Sequence, residues 1–406
     1  MKILAALALA LVVTTLRTPA AARAGSDGPP VADVQKAIDT GAAWLRARFA
    51  SGFRDETFHD EVELIVLTLA HAGANLSDKV YAKAIETLEH VEPRWTYRTS
   101  LLAMALAEVN PRLYRRKIAH CAQWLVDTQL KEGEWGYPGT AAGEGHIAGG
   151  LKVQPPPEPE PDPTPAPAPA PGMGAGTAPG MSAGTKPAAK GSDRISIVRQ
   201  SPVYDGAGPK GDFSNTQFAI LGLRACRDAG VDVPVDVWKA AVGYLRKYQR
   251  PDGGWGYVTS GEQDESSYAS LTCAGLCSAM ISLTVSGVKD AKSDAMVQRA
   301  IGWLKKNPDL TTNVNMDKSS IINTSAWQYY HLYSLERAGR VLGTADVGGK
   351  PWYGPGATWL LSTQQGDGHW EDTHNMADPP SYMNTADTCF AILFLTRATR
   401  PLTGGN

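Results

Sequence analysis

Three times in 406 residues a Gln is followed six positions later by a Trp, with an acid and a Gly at fixed places between them. The copies are Gln129-Leu-Lys-Glu132-Gly133-Glu134-Trp135, Gln249-Arg-Pro-Asp252-Gly253-Gly254-Trp255 and Gln364-Gln-Gly-Asp367-Gly368-His369-Trp370. An aromatic-Leu pair stands five residues before each Gln: Trp124-Leu125, Tyr244-Leu245 and Trp359-Leu360. A spacing held in three places is internal repetition, and repetition constrains a fold more tightly than local propensity does.

Each copy reads as the end of a helix. The aromatic and the Leu lie on the apolar face, and the Gln falls in the last turn. The Gly then stops the helix, because it enters the left-handed cap conformation without a Cβ clash. The Trp is expected to fold back over the Gln, whose amide would satisfy the orphan carbonyls of the helix end. Weaker copies follow in phase: Trp303-Leu304, with Asn307-Pro308 in place of the Gln region, Trp44-Leu45, and the apolar skeleton of Ala84-Ile85 to Leu88. A second helix rich in small and apolar residues follows each first one. These span Glu61 to Ala72, Thr99 to Val109, Asn215 to Ala229, Tyr268 to Val285, Thr324 to Ala338 and Ala386 to Thr399. Their apolar residues recur at three- and four-residue steps, the helical period. The expectation is an all-α chain of about six helical hairpins with almost no strand.

The corners resemble the repeats of squalene and oxidosqualene cyclases, and the alternating helix pairs are similar to the protein prenyltransferase β subunits. The resemblance implies an α/α toroid (an α6/α6 barrel) over residues 32–138 and 211–400, with inner helices around a central cavity and outer helices around them. The chain supplies one such ring and is too short for a two-domain triterpene cyclase.

The formal net charge of −2 and the absence of a basic stripe with interleaved aromatics argue against a nucleic-acid partner. Met1-Lys2, the apolar run Ile3 to Val13 and the small-x-small site Ala22-Arg23-Ala24 read as a signal peptide over residues 1–24, with an uncleaved anchor as the alternative. The body, residues 25–400, is then secreted or periplasmic. After signal cleavage no span is expected, since no later apolar run is long enough to cross a membrane. The five cysteines, Cys121, Cys226, Cys273, Cys277 and Cys389, fall in predicted helices beside Ala and Leu and read as buried small hydrophobes. Residues 139–210 break the repeat. Gln154 to Pro171 is Pro/Ala-rich and Gly172 to Gly191 is Gly-rich, a composition that predicts a disordered insertion in a single domain. It is either a tether to an envelope surface or a tolerated loop.

Whether the ring does chemistry turns on a few positions. Squalene-type cyclases protonate their substrate with the middle Asp of an Asp-x-Asp-Asp-Thr run at the start of an inner helix. The best match is Asn384-Thr385-Ala386-Asp387-Thr388, with Ala386 at the donor's place; in the third pair, Asn215-Thr216-Gln217-Phe218-Ala219 carries no acid. Prenyltransferases hold zinc with an Asp-x-Cys pair and a His. Asp387 and Cys389 reproduce the pair, and His331 or His374 supplies an imidazole, though Asp387 equally suits a helix N-cap. Ser260-Gly-Glu-Gln263 lacks the Cys of a thioester, and Asp264, Glu265 and Tyr268 leave a toroidal glycosidase or lyase as a minor reading. The remaining cavity candidates are Asn215, Phe218, Tyr268, Trp327, Tyr330, Asn384 and Phe390, with Asp387 and His331 as candidate acid and base. No cofactor is implied and no metal site is assigned. Two classes of function remain: a toroid that binds an apolar, polyprenyl-like ligand or an envelope protein, and an isoprenoid-processing enzyme with a remodelled site around Asp387.

Overall fold

The computed structural model describes residues 28–51, 62–137, 194–200, 211–257, 266–309, 312–315, 327–372 and 383–402. Residues 1–24, expected to be a signal peptide, most of the 139–210 span, Ser260 to Glu265 and His374 lie outside the described residues. Two kinds of helix alternate along the chain. The first kind comprises α1 (Val31–Ala50), α3 (Lys79–Glu89), α5 (Arg115–Asp127), α7 (Val235–Lys247), α9 (Ala295–Lys306) and α11 (Tyr353–Thr363). The second comprises α2 (Val62–His71), α4 (Thr96–Val109), α6 (Phe213–Asp228), α8 (Ala269–Val285), α10 (Gln328–Leu342) and α12 (Met383–Leu395).

Helices of the first kind bury one stripe, such as Tyr81, Ala84, Ile85 and Leu88 on α3, and belong on an outer layer. Those of the second kind are covered on every side: α8 buries all residues from Ala269 to Leu283. A helix apolar all round must be enclosed by neighbours, so these form the inner layer. They pack in chain order, and α12 packs against both α1 and α2. The ring is closed. Among the described residues, strand structure is limited to two-residue pairings, β1 (Ile195–Ser196) beside β2 (Val231–Asp232) and β3 (Asp346–Val347) beside β4 (Lys350–Pro351).

The corners are the joints of this ring, and their wiring differs from the expectation. The indole N–H of Trp135, Trp255 and Trp370 donates to the carbonyls of Leu125, Leu245 and Leu360 at 2.7, 3.0 and 2.8 Å. The Trp, not the Gln, therefore satisfies the helix end. The Gln side chain extends past the last turn and reaches the next outer helix. Gln129 donates to Val237 O at 2.9 Å, Gln249 to Met296 O at 2.8 Å, and Gln364 to Ala37 O at 2.9 Å. The last of these bonds spans 327 positions of sequence and ties α11 to α1. The corner acids also reach forward: Glu132 accepts from Lys247 and Tyr248, and Asp252 from the indole of Trp303, one of the weaker copies. Trp44, another, stacks on His369 at 5.1 Å between ring centroids.

Part of the span expected to be disordered belongs to the folded body. Residues 194–200, inside the 139–210 span, form a strap along α5. Gln123 donates to Val198 O at 2.7 Å, and Asp127 accepts from the Gln200 N–H at 2.7 Å. The physical reason lies in the Gln129 corner. At the Gln249 corner the side-chain oxygen accepts from Arg299 of the next outer helix, whereas the matching place on α7 is Ala240. Arg199 of the strap supplies the missing guanidinium to Gln129 at 2.8 Å.

Candidate functional site

The corners fix a common register for the inner helices. The N–H of Trp135, Trp255 and Trp370 donates to the hydroxyl of Thr216, Thr272 and Thr388 at 3.1, 3.2 and 3.0 Å, so these three threonines are equivalent. Two residues before them stand Ser214, Ser270 and Ala386, the place of the proton donor in an Asp-x-Asp-Asp-Thr run. None is a carboxylic acid. This register also corrects the sequence reading of the third pair by three residues: its equivalent window is Asp212 to Thr216 and does contain an acid. Asp212 caps α6, its carboxylate accepting from the backbone and the side-chain amide of Asn215, each at 2.7 Å.

Asp387 is not an N-cap, because α12 begins at Met383. It is buried in the second turn, where it accepts from the N–H of Asp372 at 2.9 Å. Burial, reinforced by the negative charges of Asp372 and Glu371, holds its carboxyl well above the usual carboxylate range. Asp387, Cys389 and His331 do not assemble: among the described residues no three metal-ligating side chains form a cluster. His331 is buried on α10, and neither ring nitrogen has a hydrogen-bond partner. Burial pushes its imidazole down to about 4.

Of the cavity candidates, Phe218, Tyr330 and Phe390 come together. Phe218 of α6 lies 6.5 Å from Tyr330 of α10, which lies 5.8 Å from Phe390 of α12. Tyr97 of α4 meets Phe218 edge-on at 4.4 Å, and Tyr333 stacks on Phe390 at 5.5 Å. The amide of Gln217 donates to the Tyr330 hydroxyl. In the ring α8 stands between α6 and α10, so the Phe218–Tyr330 contact runs through the interior of the ring. Among the described residues, the expected open hollow is instead spanned by side chains. The small residues Cys273, Ala274 and Cys277 on α8 allow this closure. Tyr268 is buried near Tyr330 and Asp212, whose charges add to burial in raising its phenol. Trp327 stands just before α10 with a left-handed backbone (φ 64°), half-buried and not within the helix as expected. Asn384 is half-buried in the first turn of α12.

Sequence reasoning missed one residue at the centre. Arg337 is fully buried on α10, with its guanidinium 4.1 Å from the Tyr333 ring centroid, 5.4 Å from Phe218 and 5.8 Å from Tyr330. The signal was present: Tyr330, Tyr333 and Arg337 follow the three- and four-residue steps of one helix face.

Two buried groups on α10 predict a hidden pH dependence. Glu336 accepts from the N–H and hydroxyl of Thr399 at 3.0 and 2.7 Å, and burial pushes its carboxyl up to about 7. Its stabilising contribution is present below the unfolded value of 4.5 and is lost as pH rises through 7. His331 acts in the opposite sense, costing stability as pH falls from 6.5 through 4. Each effect amounts to roughly 3 kcal/mol, and over the shared window they oppose one another. Relative to the parent, Glu336→Gln should gain stability as pH rises from 5 to 7, and His331→Leu should gain it as pH falls. Urea unfolding at a series of pH values checks both slopes; parallel curves for parent and variants would refute this account.

No protein-family model matches this chain, and neither does any curated protein sequence. Solved structures do. The type II terpene cyclase MstE from Scytonema, in its apo form, superposes with a TM-score of 0.52 at 13% identity, over 91% of this chain and 99% of the cyclase. A variant of the same enzyme in complex with geranylgeranyl dihydroxybenzoate, its substrate, gives 0.51 at 12% identity, over 90% and 97%. A further variant, in complex with the product merosterolic acid A, gives 0.50 at 12% identity, over 91% and 98%. The chain has a terpene-cyclase-like fold. At this identity the likeness is one of architecture: helix pairs, ring closure and a single toroid.

Proposed function

We propose that this chain is an exported toroid that binds an apolar, isoprenoid-type ligand and does not carry out the protonation that starts cyclisation. The observation that carries this reading is the pairing of an aromatic axial cluster, Phe218, Tyr330, Tyr333 and Phe390, with Ser214, Ser270 and Ala386 at the donor positions. Rings contributed by three helices offer an apolar guest contact from several sides once they part. A hydroxyl or a methyl group at the donor's place cannot protonate an alkene, which needs a strong acid held in an apolar pocket. The similar type II terpene cyclase binds geranylgeranyl dihydroxybenzoate in a ring of this kind. Export rests on the signal-peptide pattern of residues 1–24, and an envelope protein is the alternative partner. Among the described residues no helix is long and apolar enough to cross a membrane.

A specific observation favours a second reading, an isoprenoid-processing enzyme. Asp387 is buried, and burial with the negative charges of Asp372 and Glu371 raises its carboxyl well above the usual carboxylate range, the direction a general acid requires. Incubating the purified protein with squalene, geranylgeranyl diphosphate and farnesol, then extracting and weighing the lipids by mass spectrometry, separates the two. Retained, unaltered lipid is the expected result. A cyclised or transferred product lost in Asp387→Asn would overturn the binding reading in favour of the second, and no retained lipid would overturn both.

A further inference from the structure

A buried arginine is tolerated when its charge and its five N–H groups find partners. Two other arginines on inner helices, Arg98 and Arg224, meet this condition. Arg98 pairs with the buried Glu63 at 3.0 Å, and Arg224 donates to the carbonyls of Arg400 and Pro401 at 2.7 and 2.9 Å. Arg337 does not. Its Nη2 donates to the Ser334 hydroxyl at 2.7 Å, while Nε and Nη1 have no acceptor. Three N–H bonds and a full charge are thus held among aromatic rings on the axis of the toroid.

Among the described residues, the titratable groups that interact with this guanidinium are buried thiols, buried phenols and the Glu336 carboxyl. Burial pushes the thiols of Cys273 and Cys277, on α8, up to about 12 and about 11, and it raises the phenols of Tyr330 and Tyr333. The Glu336 carboxyl is turned to Thr399. Cation–π contact with Tyr333, Phe218 and Tyr330, and a polar contact with the Tyr333 hydroxyl, offset part of the desolvation cost but leave Nε and Nη1 without an acceptor among the described residues. Beside it the Gln217 side-chain oxygen is also buried without a partner. Turning that amide over lets Tyr330 donate to the oxygen and presents an NH₂ group instead.

The geometry points to an oxyanion site on the ring axis: Arg337 receives the carboxylate or phosphate group of a ligand whose apolar part lies among Phe218, Tyr330, Tyr333 and Phe390. The inference rests on the axial ligand reading only for the apolar part of the guest. The charged head is demanded by Arg337 itself, since an unpaired buried cation costs stability that an anion restores.

Thermal unfolding and calorimetric titration of the full chain test this with three probes: inorganic phosphate, farnesoic acid and farnesol. The expected result is that farnesoate binds at least about tenfold more tightly than farnesol, and that phosphate raises the unfolding temperature. Arg337→Met should abolish the farnesoate preference while raising the ligand-free unfolding temperature by about 3 °C, because it removes the unpaired charge. Arg337→Lys keeps the charge and should retain part of the preference, guarding against a fold defect in the Met variant. Equal affinities for farnesoate and farnesol would overturn this inference and leave the apolar-ligand reading standing. Phosphate binding without either lipid would do the reverse. A ligand-free Arg337→Met less stable than the parent would show a structural arginine and overturn the proposal.

Discussion

Gly133→Ala is expected to destabilise the protein by about 3–5 kcal/mol, far more than a Gly-to-Ala change at an ordinary turn. Gly133 has φ +102°, and a Cβ there would lie 2.1 Å from the carbonyl oxygen of Ala240 on the next outer helix. The left-handed conformation alone costs a side chain about 1–2 kcal/mol. The remainder comes from backbone, which cannot rotate away as a side chain would: either α7 retreats, stretching the Gln129 bond to Val237, or the corner unwinds. Gly73→Ala is the control. It has φ +84° with nothing within 4 Å of an added Cβ, so only the conformational cost applies. Urea unfolding of the two variants should differ by about 2 kcal/mol or more; equal losses would show that the corner is not the joint described above.

Trp370→Ala should be comparably damaging, at about 5 kcal/mol. The side chain is fully buried against Gly41 of α1, and the Trp370 backbone N–H donates to the Thr388 hydroxyl in the second turn of α12. Removing a buried Trp costs about 3–5 kcal/mol, and the Leu360 carbonyl loses its only indole donor at a further cost of about 1 kcal/mol or more. Trp135→Ala and Trp255→Ala remove equivalent bonds inside the run of repeats, whereas Trp370 sits at the seam where the last corner meets the first helix. Hydrogen exchange should therefore show α1 amides losing protection in the Trp370 variant and not in the other two. Uniform loss across the ring in all three would contradict a seam held by this corner.

The helix pairs, their order and the corner residues were legible in the chain because each is a local property. A Gly that must turn left-handed, a Trp at a constant distance from a helix end and a periodic apolar stripe are all visible without neighbours. The role of the Gln was not visible, since an amide at a helix end has the same sequence whether it caps its own helix or grips the next. The strap at residues 194–200 was hidden for a related reason: Arg199 serves a need created by Ala240 on α7, which no composition measure reports.

The sequence alone determined an all-α run of helical hairpins, because periodicity is a local property; the ring and the lack of an acid at the donor's place, Ala386, followed from the resemblance of its corners to cyclase repeats. The tertiary structure decided what fills the axis. Inner helices are apolar on every face, so their pattern carries no direction and cannot say which residues turn inward. Only the packing of α6 and α10 across the small residues of α8 brings Phe218, Tyr330 and Arg337 together, and with them a buried positive charge at the centre of the ring.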